Sequence, residues 1–395
     1  MPPKMAFTTH GLATCYRNIA SLVSPAAAVG ELIVITDAAM VVENGQVSWL
    51  GKDSDAPSCE TEVDLTGKTV IPGFVDSHSH LVFGGERSEE FASRMNGKKY
   101  QAGGINSTVA ATRNATADEL RANTAMLVQE LYANGITTFE IKSGYGLDTE
   151  TEKLSLEIAS EFTDEVTFLG AHVVPSGSDP DQYIDLVAGE MLTSIKAKWV
   201  DVFCDKGAFS VTQARKVLTA GIAAGLKPRM HANQLSNIGA IALAVELDCA
   251  SVDHCTFLDD DDIELLRNSN TVATLLPGAE FSTRSAYPQG GKLMKAGVAV
   301  AIATDCNPGS SFTTSMAFCI AVAVRDMGFS VDQAIWAATK GGAMALRGSQ
   351  GLLEVGVKAD FVVLDAPNHI YLAYRPGVAI ISQTFLQGRK VYERR

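Results

Sequence analysis

Seven histidines are present, and five of them fall at or near the ends of short strand-sized runs. His78 and His80 follow VIPGFVD, His172 follows VTFLGA, His231 follows KPRM and His254 follows CASVD. Asp305 closes one more run, GVAVAIAT. In an extended chain residues i and i+2 share a face, so the two imidazoles of His78-Ser79-His80 can converge on one ion. On its own such a pair reads more readily as two hydrogen-bonded structural histidines. The company of His231, His254 and Asp305 turns the reading toward a metal centre. Imidazoles with one carboxylate suit a borderline divalent ion, zinc first, with iron or manganese next. Calcium or magnesium would call for more oxygen ligands. His78, His80, His231 and Asp305 together leave room for a bound water, whose pKa such an ion lowers to about 7. The chemistry expected is hydrolysis of a polarised carbonyl.

Those residues need a scaffold that gathers strand ends. From residue 69 the chain of 395 residues alternates strand-sized runs with amphipathic stretches. The strand candidates are 69–80, 136–144, 165–174, 199–205, 227–234, 249–255, 270–278 and 297–306. Helical patterns lie between most of them, such as 117–135, with Thr116 as N-cap and Gly135 past its end, and 210–225. A doubly wound sheet is the alternative, but a count of eight strands favours a closed (β/α)8 TIM barrel, an α/β fold whose C-terminal strand ends face the active site. Both chain ends are β-rich. Residues 31–50 form a hairpin pattern around Glu43-Asn44-Gly45, and FVVLD, AIISQTFLQG and RKVYE follow near the C-terminus. The expected division is 1–68 and 349–395 as two parts of a small β-sandwich, with 69–348 as the barrel. The acidic run Asp259–Asp262 reads as a helix N-terminus.

Composition narrows the function classes. Against 32 Lys and Arg stand 45 Asp and Glu, a net charge of −13 with no basic run, which speaks against nucleic acid as a partner. Hydrophobic residues make up 46%, ordinary for a globular chain, and no apolar stretch approaches the roughly 20 residues of a membrane span. The N-terminal segment lacks the apolar core of a signal peptide. Seven scattered cysteines without a CxxC pair suit reduced thiols and a cytoplasmic protein. His10 and His369 fall outside the barrel and read as structural or solvent-exposed. Asp205 and Lys206, after the fourth strand, would be the place for a bridge between two metals, but they read better as a loop charge pair. Lys142 stays open between a structural and a substrate-facing role.

PGFVDSHSH (72–80), the strand-end His, His and Asp, and the Lys358-Ala359-Asp360 segment leading into FVVL resemble the amidohydrolase superfamily. Within it the sequence most resembles the imidazolonepropionases. The segments that carry this are HLVFGGER (80–87), KSGYGL (142–147), FLGAHVVPSG (168–177), DVFCDKGAFS (201–210), HANQ (231–234), SVDHC (251–255), LLPGA (275–279) and TDCNPGSS (304–311). They run in order across the whole barrel. The resemblance implies a homodimeric hydrolase with one divalent or trivalent metal ion per subunit, zinc first and iron second. The implied substrate is 4-imidazolone-5-propanoate, whose ring is opened by water to N-formimidoyl-L-glutamate. A propanoate tail needs a cation, and Arg87, seven residues after His80 in a Gly-rich loop, has the planar fork for it. Alone, an arginine there would more often serve a surface salt bridge.

The resemblance also implies that Arg87, Tyr145 and His172 contact the substrate, joined by Asn307, Gly309 and Ser310. Ser310 stands where threonine is expected, and the hydroxyl is kept. Gln234 stands where some relatives carry glutamate. A glutamine cannot act as a base, so it orients substrate, and the proton-carrying roles fall to Asp305 and His254. In the expected mechanism Asp305 takes the proton of the attacking water and later returns it to the departing ring nitrogen. His254 stabilises the developing oxyanion. The competing readings are another cyclic-amide hydrolase or an aminohydrolase (deaminase) and, from a different class, a non-catalytic barrel scaffold. The carboxylate-binding set around Arg87 and the intact metal-ligand set argue against them in turn.

Overall fold

Turn chemistry and alternation build the smaller layer first. In the computed structural model, which describes residues 13–97 and 104–395, the N-terminal part supplies β1 (Thr14–Pro25), β2 (Leu32–Glu43), β3 (Gln46–Lys52), β4 (Thr61–Asp64) and β5 (Thr69–Pro72). Between β2 and β3, Asn44 (φ 51°) and Gly45 (φ 77°) both take the left-handed conformation that a two-residue hairpin turn demands.

The barrel follows as β6 (Phe74–Asp76), β7 (Ile136–Lys142), β8 (Glu165–Ala171), β9 (Trp199–Cys204), β10 (Lys227–Pro228), β11 (Met230–Ala232), β12 (Ser251–His254), β13 (Val272–Leu275) and β14 (Val300–Ile302). Neighbours pair in parallel in chain order, with β10 and β11 as two pieces of one barrel strand. Closure between β6 and β14 is made just beyond the strands, where Asp305 N donates to His78 O (3.0 Å) and His80 N to Cys306 O (2.9 Å). The ring is thus sealed by the backbone of three expected ligands.

The C-terminal strands β15 (Phe361–Leu364), β16 (Ile381–Leu386) and β17 (Arg389–Glu393) return to the terminal sheet. Its order is β17-β16-β15-β5-β1-β2-β3, with β4 also on β1. Its own core centres on Tyr16, whose ring edges meet Phe361 (5.1 Å between centroids) and Phe385 (5.6 Å). The architecture is therefore the (β/α)8 barrel with a small β-sandwich built from both termini.

The run 69–80 is not one strand. Thr69–Pro72 pairs with β1 and antiparallel with β15, and only Phe74–Asp76 belongs to the barrel. Between them a Cβ on Gly73 would collide with Thr137, so the chain crosses from one domain to the other through a residue without a side chain. The expected helix starts are present with their caps. Thr116, Ser210 and Asp259 each form a reciprocal capping box, with Glu119, Gln213 and Asp262. The acidic run is thus a helix N-terminus. All seven cysteines are unpaired. His369 is buried against Asp332 (2.9 Å), a structural role, while His10 lies outside the described residues. Among the described residues no helix is long and apolar enough to cross a membrane.

Candidate active site

At the C-terminal mouth of the barrel a cavity open to solvent is lined by His80, Arg87, Tyr145, His172, His231, Gln234, His254, Asp305, Asn307 and Ser310. His78 lies directly beneath, fully buried. Gly309 backs the cavity from outside, where a Cβ would collide with Arg87 Nη1. All twelve expected site residues therefore meet at one place. Several strand ends reach it through strained backbone. Asn233 (φ 53°), His254 (φ 81°), Cys255 (φ 55°) and Asp305 (φ 50°) are left-handed without being glycine, at about 1–3 kcal/mol each. These bends lie at or just after the strand ends, and two of them set His254 and Asp305 in the mouth.

The nitrogens and oxygen that would hold an ion converge. His78 Nε2 and His80 Nε2 stand 3.2 Å apart, and Asp305 Oδ1 lies 3.5 and 3.6 Å from them. Ligand atoms about 2.1 Å from a tetrahedral ion are separated by about 3.4 Å, so this triad matches one ion. His78, His231 and His254 make a second triad that shares His78. His78 Nδ1 is 2.7 Å from Asp253 Oδ2, which fixes the proton on Nδ1 and leaves the Nε2 lone pair for the ion. Burial first, then the nearby Lys142 and other imidazoles, holds the His78 pKa well below 6.5, and burial does the same for His80 and His254. Neutral imidazoles are what a metal needs. Burial lifts the Asp305 carboxyl to about 7.

Behind these ligands lies a layer of buried charge. Asp201 Oδ2 sits 3.1 Å from His231 Nδ1, and Lys142, Glu140, Arg229 and Asp253 complete the cluster with no side-chain exposure. Sequence reasoning left Lys142 open and missed the other four. The signal was present in charged residues set inside apolar strand runs, EIKSG, WVDVF, KPRMH and SVDH. In a barrel strand, Glu140 with Lys142 and Arg229 with His231 share the inner face.

The substrate-side loops are organised by their own carboxylates and amides. Glu152 accepts Gly144 N (3.0 Å), Gly146 N (2.8 Å) and Leu147 N (2.8 Å), which folds the segment that carries Tyr145. His172 Nδ1 donates to Gly144 O (3.0 Å), and its ring stacks on His80 at 5.4 Å. Burial lowers the His172 pKa to about 3, so it is neutral. Glu152→Ala is expected to raise KM about tenfold and to destabilise the fold by about 3 kcal/mol through three orphaned N–H groups. Steady-state kinetics with thermal unfolding checks this, and an unchanged KM would refute it.

Asn307 spends its amide on the loop itself. Its Oδ1 accepts Gly309 N and Ser310 N (2.8 Å each), and its Nδ2 donates to Asp305 O (2.6 Å) and Ser310 Oγ (2.9 Å). Ser310 Oγ donates to Asp305 Oδ2 (3.1 Å), so the hydroxyl retained there steadies the carboxylate. Arg87 gives one edge of its fork to Glu90, with Nε and Nη2 at 2.8 and 2.7 Å. Arg94 holds the same Glu90 (2.9 Å) and donates to Gly309 O (2.7 Å). Asp205 binds Lys206 N, Leu235 N and Ser236 Oγ (2.7–2.8 Å), shaping the loop after Gln234. Lys206 is exposed and its ammonium does not pair with the buried Asp205, so the expected loop charge pair is instead a carboxylate anchoring the loop backbone.

A closed barrel with converging imidazoles and a carboxylate at its mouth defines a class, and comparison with known proteins agrees. The model of the amidohydrolase family matches residues 69–391. The solved guanine deaminase of C. acetobutylicum, with guanine bound, superposes with TM-score 0.70 at 16% identity, over 96% of this chain and all of that one. An adenosine deaminase of Xanthomonas campestris, with zinc bound, gives 0.68 at 17%, over 95% and 92%. These two likenesses speak for the fold. Much nearer in sequence is the imidazolonepropionase of Mycolicibacterium smegmatis, 56% identical over 95% of this chain and 97% of that protein. The imidazolonepropionase of Streptomyces coelicolor is 55% identical over 96% and 99%. The chain belongs to the amidohydrolase family and, within it, to the imidazolonepropionases.

Proposed function

We infer that this chain is a hydrolase of a cyclic amide, opening 4-imidazolone-5-propanoate with water to N-formimidoyl-L-glutamate. The observation that carries the reading is a single cavity with the His78–His80–Asp305 convergence on its floor and Arg87 on its wall. Hydrolytic groups and a carboxylate receptor then face one small substrate. A deaminase substrate has no tail for Arg87.

His78, His80, His231 and Asp305 are the residues that would hold a divalent ion. When bound there, the ion acidifies water to a pKa of about 7 and polarises a carbonyl. Asp305 takes the proton of the attacking water and returns it to the departing ring nitrogen. Neutral His254 donates a hydrogen bond to the oxygen on which charge develops. Arg87 receives the propanoate, and Tyr145, His172, Asn307, Gly309 and Ser310 shape the space around the ring. Gln234 orients the substrate without carrying protons, so Gln234→Ala is expected to lower kcat/KM by only about tenfold. A loss as deep as that from removing Asp305 would exclude this role.

We further propose zinc as the ion, with iron as the second choice, and a homodimer residing in the cytoplasm, all three resting on the resemblance. The test of the main reading is an ultraviolet assay of fresh imidazolonepropanoate. One sample is untreated, and the other is chelator-stripped and then given zinc. Loss of the ring chromophore that vanishes on stripping and returns with zinc is expected. A folded, zinc-loaded protein without turnover would overturn the reading.

A further inference from the structure

The buried charge beneath the cavity is arranged around one ammonium. Lys142 Nζ, on the second barrel strand β7, lies 2.7 Å from Asp201 Oδ2, 2.9 Å from Glu140 Oε1 and 3.5 Å from Asp253 Oδ2. The Asp201 oxygen that meets Lys142 is the one 3.1 Å from His231 Nδ1. The Asp253 oxygen that meets it is the one 2.7 Å from His78 Nδ1. An ammonium has three donors and no acceptor, and here three carboxylates from three strands surround it. Asp201 is further fixed through its other oxygen by Val202 N (2.7 Å) and His231 N (3.1 Å).

We propose that Lys142 is a positioning residue of the metal site, tying together the carboxylates behind His231 and His78 so that both imidazoles are presented at fixed orientation. The inference rests on the reading of these histidines as metal ligands. It goes beyond it by giving the ammonium a task that neither packing nor substrate contact requires.

The pairing within the cluster points the same way. Asp201, Asp253 and Glu140 share two buried cations, Lys142 and Arg229. Arg229 meets Glu140 (3.1 Å) and Asp253 (3.5 Å) and donates to Ser77 O (2.7 Å), but it does not reach Asp201 within an ion-pair distance. Within the cluster Lys142 is the cation that contacts both histidine-backing carboxylates. If it were only a counter-charge, its positive field beside the ion would weaken metal binding, and removing it would tighten the site. If it positions the ligands, removing it loosens the site.

Zinc affinity, read by competition with a chromophoric chelator on the metal-free full chain, separates these cases. Lys142→Met is expected to raise the zinc Kd about tenfold, the lower end of what outer partners of metal-binding histidines contribute. Thermal unfolding of the same metal-free sample reports any purely structural loss. Asp201→Asn and the double variant close the cycle. The double variant removes one charge of each sign and keeps the interior balanced if Lys142→Met alone fails to fold. Its Kd is expected within about threefold of Asp201→Asn alone, because both changes cut one connection. An unchanged or lower Kd in Lys142→Met, or losses that simply add in the double variant, would overturn the proposal. Failure of the unmodified protein to bind zinc at all would instead strike the metal-site reading, and the inference with it.

Discussion

Asp305→Asn is expected to reduce kcat/KM by about 10³-fold or more, the largest effect of any single substitution considered. General acid–base catalysis alone contributes about 10²–10⁴, and this carboxylate also completes the ligand triad. The structure supplies the reasons. Asp305 sits just after β14 in left-handed backbone, with Oδ1 facing both His78 and His80 and Oδ2 held by Ser310. Asparagine keeps the volume, so the fold should survive, but it can neither neutralise an ion nor carry a proton at this site. Rates of chromophore loss with metal content measured on the same sample check the claim. A variant that keeps its metal and activity within tenfold of the parent would show that another group moves the proton.

Much of this arrangement was legible because barrels convert chain position into spatial position. Strand ends face one mouth, so His78, His172, His231, His254 and Asp305 could be placed together from their positions after apolar runs. Hairpin turns were equally readable, since Asn44-Gly45 can hardly be anything else. Local pattern did not reveal where one domain hands over to the other. VIPGFV runs without a polar side chain, and the split at Gly73 depends on a close approach to Thr137, far away in sequence. The charged floor was hidden for a related reason. Asp201, Arg229 and Asp253 are single charges on separate strands, and only closure of the barrel makes them one cluster. Glu152 likewise looks like any surface glutamate of an amphipathic helix until the loop of Tyr145 folds back on it. Asn307 lines the cavity, yet its amide serves the loop, which no spacing rule reveals.

Arg87→Ala is expected to raise KM about 100-fold while kcat falls much less. A charge-assisted hydrogen bond contributes about 1.5–3 kcal/mol, and a fork making two with a carboxylate reaches this range at modest net values. The split follows from distance to the reaction: a tail held equally in ground and transition states lowers KM without raising kcat. Glu90 makes the arrangement specific to arginine. It holds the Nε–Nη2 edge, and Gly309 leaves room for Nη1, so the plane of the guanidinium is fixed against the cavity. Lysine has a single point charge that Glu90 would draw away, so Arg87→Lys is expected to recover little. A substrate analogue without the propanoate supplies the control. If Arg87 reads that carboxylate, the substitution should barely change kcat/KM for the analogue, because the partner is already missing. Equal losses on both compounds would mean that Arg87 supports the loop instead, and would reopen the choice among cyclic-amide hydrolases. The arginine is therefore the residue on which substrate identity turns, as Asp305 is the one on which the chemistry turns.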